Sequence, residues 1–390
     1  MKSLDKDKFA LVLDVGTTGI KAFVFNKNLA VLTKSYRDIP EILLHPGHVE
    51  QDPAEIIRLA REVLLECVQT SKVSTDAFVG LGITNQRETV VAWDKKTAWP
   101  FYPAIVWKDT RTQEKCAVLS QAHGEAVRAK TGLRILPYFS ASKMSWLLEK
   151  IPEVRTAAEN GCLGLGTVDT WLLWNLTEEK SYLTDQTNAA RTLLFNLQEK
   201  KWDLDLLKIF DLPSMLLPAA QATKSNFGTL KKEILGFSLP ILAVCGDQQA
   251  SLYAAGQTSG TTKITYGTGT FIMQIIGAEF SLREKYFTTL TADGKNFAVE
   301  AKVDHGAKDI DKILQDKEKL TACLKDIAVD VDEYIKTLPV KPQEIIIDGG
   351  VMRDGIVGKF QEEISGIKIR EQSIFDGTAL GTAKLVFGFV

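Results

Sequence analysis

Three clusters of side chains carry the reactive chemistry of this sequence. The first is centred on Asp14 in FALVLDVGTTGIKAFVFN (9–26), where an acid stands just ahead of a turn of glycine and threonine. Gly16 and Gly19 let backbone approach a ligand with no Cβ in the way, and bare N–H groups with the Thr17 and Thr18 hydroxyls can donate to phosphate oxygens. Asp14 can hold a hydrated Mg²⁺, and Lys21 can meet a phosphate as a point charge. This is not a P-loop: GxxxxGK[ST] is absent, and a β-rich run follows the turn where a P-loop needs a helix. A hairpin whose turn happens to use Gly and Thr is the plainer alternative. The second cluster is Asn85-Gln-Arg-Glu88, set between two apolar runs. Charges are rarely buried without a partner, so Arg87 and Glu88 either face a cleft and hydrogen-bond a hydroxylated ligand or form a local ion pair in a surface turn. The third is Asp247 with Gln248, directly after the apolar run PILAVCG. Asp247 suits a general base or orienter, or else a strand-end acid capping the next helix. His45 and His48 lack a third ligand nearby in sequence and read as turn histidines rather than a metal site.

The elements that must position these groups follow from periodicity. FALVLDV and IKAFVF, joined by a short turn, predict a β-hairpin. A second copy, KITYGTGTFIMQII (263–276), repeats the run, turn and run, with the turn at Gly267 to Thr270. Two such hairpins far apart predict a duplicated two-domain fold closing on a nucleotide from both sides. Asp52 then Pro53 predict a helix start, after which Ile56, Ile57, Ala60, Val63, Leu64 and Cys67 recur at helical spacing. Phe78 to Trp93 reads as strand, polar centre and strand, and Lys143 to Lys150 and Trp202 to Phe210 read as helices. Strand-rich and helical patterns alternate throughout, which predicts an α/β fold.

The chain has 390 residues, 45% hydrophobic and 25% charged, with a net charge of −2. That is a globular composition able to bury a large core, and it offers no basic block for nucleic acid or an anionic membrane surface. No run approaches the ~18 apolar residues of a membrane-spanning helix. The N-terminus lacks the apolar core of a signal peptide. Cys67, Cys116, Cys162, Cys245 and Cys323 are scattered and never in C-x-x-C spacing, the pattern of reduced thiols in a cytoplasmic protein.

DVGTTGIK and YGTGTF resemble the paired phosphate loops of the actin, Hsp70 and hexokinase superfamily. More narrowly, GITNQRETVVAWD, AIVWKDTRT, LPYFSASKMSWLL, GTVDTWLLWNLT, TDQTNAARTLLFNL and GDQQASLYAAGQ resemble successive stretches of the glycerol kinases in the FGGY carbohydrate kinase family, in order, from Phe9 to about Gly277. The resemblance implies two RNase H-like (actin-like ATPase) domains around a nucleotide cleft, here expected over residues 1–253 and 254–390. It implies ATP-dependent phosphorylation of a terminal hydroxyl of glycerol or a close polyol. Arg87, Glu88, Tyr138 and Asp247 would bind the hydroxyls, with Gln248 beside Asp247 and with Trp107 and Phe271 against the carbon edge. Taken alone, Trp107 and Tyr138 read as core aromatics. Asp14 and Asp247 would stand near Mg²⁺, and Thr17, Thr18, Lys21, Gly267 and Thr268 at the ATP phosphates. Lys21 keeps the charge of the family's usual arginine but not its bidentate fork.

From Tyr286 the sequence departs from the family. The positions of the family's nucleotide-side glycine and glutamine fall roughly at Ala307 and Asp311, and a long glycine- and aromatic-rich segment is missing. In its place Ile310, Ile313, Leu314, Leu320, Leu324, Ile327, Val331, Tyr334 and Leu338 predict one or two amphipathic helices in a trimmed second domain. The resemblance returns in EIIIDGGVMRDG and TALGTAKL, implying adenosine contact at Gly349 and Gly350, with Asp354 in place of the usual asparagine. Two other readings stand beside the glycerol kinase one: a kinase for another sugar of the family, and an impaired pseudokinase serving as a polyol or nucleotide sensor or partner-binding protein. The sequence leaves a homo-oligomer open.

Overall fold

A computed structural model describes residues 8–266, 270–303, 317–349, 355–372 and 376–388. The β-rich runs at the N-terminus form strands β1 (Phe9–Val15) and β2 (Gly19–Asn26), paired antiparallel, followed by β3 (Val31–Asp38). β1 is buried on both faces, which is why it reads as a continuous apolar run rather than an alternation. Next to it, in parallel, lies β4 (Phe78–Asn85), and next to that, again in parallel, β5 (Leu239–Gly246). The short strand Thr229–Leu230 completes a six-stranded sheet at the β5 edge, and β3 forms the other edge.

Helix α1 (Pro53–Ser71) begins as its sequence predicts: the Asp52 carboxylate accepts from the Ala54 N–H at 2.8 Å, and Pro53 occupies the first turn. Its apolar stripe, Ile56, Ile57, Ala60, Val63, Leu64 and Cys67, is buried against the sheet. Helices α2 (Ser140–Lys150) and α3 (Val168–Leu176) belong to the segments inserted between β4 and β5, which also carry three strands, Val90–Asp94 among them, of a four-stranded sheet completed by Glu50–Gln51. Helix α4 (Asp247–Ala255) leaves the end of β5.

The second half repeats the plan. Strands β6 (Thr262–Tyr266) and β7 (Thr270–Gly277) form the second hairpin, with β8 (Phe287–Leu290) and β9 (Phe297–Val303) continuing antiparallel beyond β7. On the other side of β6, β10 (Glu344–Asp348) and β11 (Lys368–Glu371) pair in parallel, just as β4 and β5 extend from β1. Helix α5 (Lys317–Ile335) buries Leu324, Ile327 and Val331 of the expected amphipathic stripe, with Ile335 beside them, and half-buries Leu320 and Tyr334; Leu338 follows the helix half-buried, and Ile310, Ile313 and Leu314 lie outside the described residues. Helices α6 (Ile356–Ser365) and α7 (Gly377–Phe387) complete this half. The two hairpins in equivalent places of two like sheets are the duplication anticipated from the sequence.

Two compact units divide the chain: Met1–Asp247 with Thr382–Val390, and Gln248–Gly381. The division falls inside α4. Cys67, Cys116 and Cys245 are buried thiols, and Cys162 and Cys323 are half-buried thiols. Among the described residues no helix is long and apolar enough to cross a membrane.

Within the second unit, α4 and α7 approach so closely that a Cβ at Gly381 would lie 1.8 Å from the Ala250 carbonyl oxygen, a backbone atom that cannot swing aside. Gly381→Ala is therefore expected to destabilise the chain by about 1–3 kcal/mol or more, as a shift in the urea midpoint, despite alanine's better helix propensity.

Candidate active site

The parallel pairing of β1, β4 and β5 sets Val15, Asn85 and Gly246 side by side at their carboxyl ends. The residues that leave these ends are the three reactive clusters: the 16–19 turn, the 86–89 connection, and Asp247. Ligands of open α/β sheets bind at such carboxyl ends.

The first turn is closed by the Gly16 N–H donating to the Gly19 carbonyl at 3.0 Å. A Cβ on Gly19 would sit 2.3 Å from the tip of the exposed Tyr36 ring, which would have to swing aside to admit it. Two buried glutamines brace the turn: Gln51 Nε2 donates to the Thr17 carbonyl at 2.7 Å, and Gln86 Nε2 donates to Gln51 Oε1 at 2.8 Å. Trp107 Nε1 donates to Thr17 Oγ1 at 2.8 Å, and the Trp107 N–H donates to Thr89 Oγ1 at 3.1 Å. Asp14 is buried opposite Lys21 in the hairpin register, Lys21 and Thr17 are half-buried, and Thr18 is exposed at the tip.

Arg87 and Glu88 are 3% and 1% exposed, which excludes the surface-turn reading. Arg87 Nε lies 3.2 Å from Asp247 Oδ1, and Arg191 Nε donates to Glu88 Oε1 at 2.6 Å. Glu88 adopts φ +63°, a left-handed conformation that a side chain of its size occupies at a cost of roughly 1–3 kcal/mol unless its surroundings impose it. They do: Ser140 Oγ donates to the Glu88 carbonyl at 3.1 Å, and Arg191 holds the carboxylate. Trp107 and Tyr138 meet edge to face, with ring centroids 5.3 Å apart. The Arg191 guanidinium lies over both Tyr138 (5.8 Å) and Phe139 (5.0 Å). Beneath them the fully buried Lys143 donates to the Tyr138 and Phe139 carbonyls at 2.8 and 3.1 Å. Burial brings its ammonium down to about 7, against the pull of Glu88 and Asp109.

The first unit thus gathers Asp14, Thr17, Thr18, Lys21, Arg87, Glu88, Trp107, Tyr138 and Asp247 on one sheet and its inserts. Phe271, half-buried near the start of β7, and Gln248, in the first turn of α4, belong to the second unit. So does Gly349, whose φ of +113° and 2.2 Å approach of a would-be Cβ to the Tyr266 carbonyl admit glycine alone. The neighbouring Asp348 pairs with Lys263 at 2.6 Å and accepts from Ser251 Oγ at 3.1 Å. Gly267, Thr268, Ala307, Asp311, Gly350 and Asp354 lie outside the described residues. His45 and His48 meet edge to face at 5.4 Å, and among the described residues no group of three or more ligands can hold a metal ion.

Sequence reasoning assigned no role to Gln51, Lys143, Asp185, Thr187, Asn188 or Arg191. Apart from Gln51 they stand in stretches that carried the resemblance, SASKM and TDQTNAAR, where polar residues interrupt otherwise apolar sequence. That interruption was the available signal.

The FGGY family of carbohydrate kinases, N-terminal domain, matches residues 9–254. This chain belongs to the FGGY family. It is 44% identical to glycerol kinase of Aquifex aeolicus (strain VF5) over 312 residues, 79% of this chain and 63% of that protein's length. It is 34% identical to glycerol kinase of Shewanella oneidensis over 444 residues, 97% of this chain and 90% of that protein. An alignment of 444 residues on a chain of 390 means that the Shewanella protein carries segments with no counterpart here. Among solved structures, Plasmodium falciparum glycerol kinase with ADP superposes with a TM-score of 0.88 at 28% identity, covering 97% of this chain and 89% of that one. Gluconate kinase of Lactobacillus acidophilus shares the fold, with a TM-score of 0.86 at 18% identity, covering 98% of this chain and 90% of that one.

Under the site of this FGGY-family protein lie two fully buried carboxylates, Asp169 and Asp185. Asp169 accepts from Thr167 Oγ1 at 2.5 Å and Thr184 Oγ1 at 2.6 Å. Burial, and secondly the charge of Asp185, push the Asp169 carboxyl up to about 6. Because the folded value exceeds the unfolded one, the folded chain binds this proton more tightly. The resulting stability is full below about pH 4 and is lost as pH rises through about 6. Asp169→Asn stays neutral, so its urea midpoint is expected to fall less steeply than that of the unsubstituted chain between about pH 4 and 6. Parallel slopes would refute the assignment.

Proposed function

We propose that this chain phosphorylates a terminal hydroxyl of glycerol from ATP, with Asp247 as the base. The observation that carries the reading is the Arg87–Glu88–Asp247 constellation walled by Trp107 and Tyr138. A small polyol has several hydroxyls and little apolar surface, so selectivity must come from paired donors and acceptors, with the unpaired groups penalising wrong ligands. Arg87 offers donors, Glu88 and Asp247 offer acceptors, and the two rings cover a short carbon edge; Phe271 and Gln248 are assigned to the same ligand. The glycerol kinase relatives support the choice of polyol.

The donor set suits ATP with Mg²⁺. Asp14 and Asp247 are hard oxygen ligands, too few for a dedicated protein cage and of the kind that share a hydrated Mg²⁺ with substrate phosphates. Thr17, Thr18, Lys21, Gly267 and Thr268 are assigned to the phosphates, and Gly349, Gly350 and Asp354 to the adenosine side. When bound, ATP supplies the phosphoryl group and Mg²⁺ offsets its charge. The chain's own work is to hold the acceptor. Arg87 and Glu88 fix two hydroxyls of glycerol, which leaves a terminal one to Asp247. Asp247 Oδ accepts that proton as the oxygen attacks, and Arg87, already 3.2 Å away, compensates the charge on Asp247 beforehand.

A second reading, a polyol-binding protein without turnover, draws on the segments of the Shewanella relative that have no counterpart here. The assay that separates the two is glycerol-dependent ADP release from Mg²⁺-ATP, with glycerol binding followed by calorimetry. Asp247→Asn is expected to lower kcat by about 10²–10⁴-fold while glycerol affinity stays within a few-fold. Equal turnover by the variant removes Asp247 as base. Binding without turnover in the unsubstituted chain favours the second reading.

A further inference from the structure

Asp185 itself bonds to none of the three reactive clusters, yet the hydrogen bonds of its carboxylate lead on to two of them. The Asp185 carboxylate is fully buried. Its Oδ2 accepts from the Thr187 N–H (2.9 Å), Thr187 Oγ1 (2.7 Å) and Thr223 Oγ1 (2.7 Å). Its Oδ1 accepts from the Asn188 N–H (2.9 Å) and Asn188 Nδ2 (2.8 Å). From each oxygen a route runs to one strand end. Thr187 Oγ1 accepts at 2.8 Å from the N–H of Gly246, the residue directly before Asp247, and the Thr223 carbonyl accepts from the Val244 N–H at 3.0 Å. Asn188 exchanges amide hydrogen bonds with Asn85 at 3.1 Å in both directions, and Asn85 Nδ2 also donates to the Gln86 carbonyl at 2.8 Å, directly before Arg87.

We propose that Asp185 is a positioning residue, one carboxylate oxygen fixing Asp247 through Thr187 and the other fixing Arg87 and Glu88 through Asn188. A carboxylate only accepts, so the single Thr187 hydroxyl proton is drawn to Asp185 and a lone pair is left for the Gly246 N–H. An asparagine at 185 cannot substitute. Its amide NH₂ would face the donors of Thr187 and Thr223 in one orientation, or those of Asn188 in the other, leaving buried donors opposed. The same segment ends in Arg191, which holds Glu88, so the chain from Asp185 to Arg191 is a single brace for both halves of the pocket.

The proposal rests on Asp247 being the base and Arg87 and Glu88 the polyol clamp, and its test separates failure of that reading from its own failure. Because Asp185→Asn is liable to misfold, the arms are tested singly. Thr187→Val keeps the shape and loses the hydroxyl, whereas Thr187→Ser keeps the hydroxyl. The valine variant is expected to lose about tenfold or more in kcat with glycerol KM changed less than about threefold, and the serine variant to retain most of kcat. Asn188→Ala is expected to raise glycerol KM about tenfold with a smaller change in kcat. Hydrogen exchange of the peptides covering 241–247 and 83–88 is followed in the same proteins. Thr187→Val should speed exchange in the first and Asn188→Ala in the second, with Thr187→Ser close to the unsubstituted chain. If the unsubstituted chain releases no ADP with glycerol, the kinase reading fails and the exchange pattern alone decides the positioning claim. Valine and serine variants alike in kcat and exchange, or an alanine variant with unchanged KM and exchange at 83–88, overturn it.

Discussion

Everything chemical in the first unit depends on one constraint, the parallel pairing of β4 between β1 and β5. Parallel strands finish at the same edge, so three segments distant in sequence deliver their next residues to one place. Val15, Asn85 and Gly246 are the last paired positions, and a one-residue slip of β4 or β5 would turn Arg87 or Asp247 away. The long inserts between β4 and β5 lie outside that pairing. They are also where Trp107, Tyr138 and Arg191 come from.

The edge so formed is unusually polar for a protein interior. Gln51, Asn85, Gln86, Arg87, Glu88, Asp169, Asp185, Asn188 and Arg191 are all nearly inaccessible to water. Such a group is tolerable only when its bonds are made inside the protein, and satisfied networks of this kind hold geometry more strictly than apolar packing does. The strained backbone at Glu88 fits the same pattern, since a left-handed glutamate survives only where neighbours dictate its position. Rigid placement of acceptor-binding groups is what in-line transfer to a small, flexible alcohol demands.

Much of this was legible in the sequence. The two hairpins, the cap at Asp52, the α1 stripe and the α5 stripe were readable because each is local: periodicity and turn chemistry act within a few residues. Arg87, Glu88 and Asp247 were legible as charges beside apolar runs, but their local choices were left open. Only the fold, which buries Arg87 and Glu88 and pairs Arg87 with Asp247, 160 positions along the chain, removes the surface-turn alternative. Gln51 and the Asp185 brace were not legible, because their roles exist only through partners brought by the fold. Lys143 looked like one more helix residue, and only its burial beneath Tyr138 distinguishes it.

The bond from Trp107 Nε1 to Thr17 Oγ1 joins the ring proposed to cover the polyol to the turn proposed for phosphate. A hydroxyl has one proton to give, and its orientation is shared by all its neighbours. If phosphate recruits the Thr17 hydroxyl, the indole that covers the carbon edge feels the change. Thermodynamic linkage then requires the converse, so that each substrate alters the affinity for the other by the same factor. The two substrates would thus be coupled within a single unit, through one side chain.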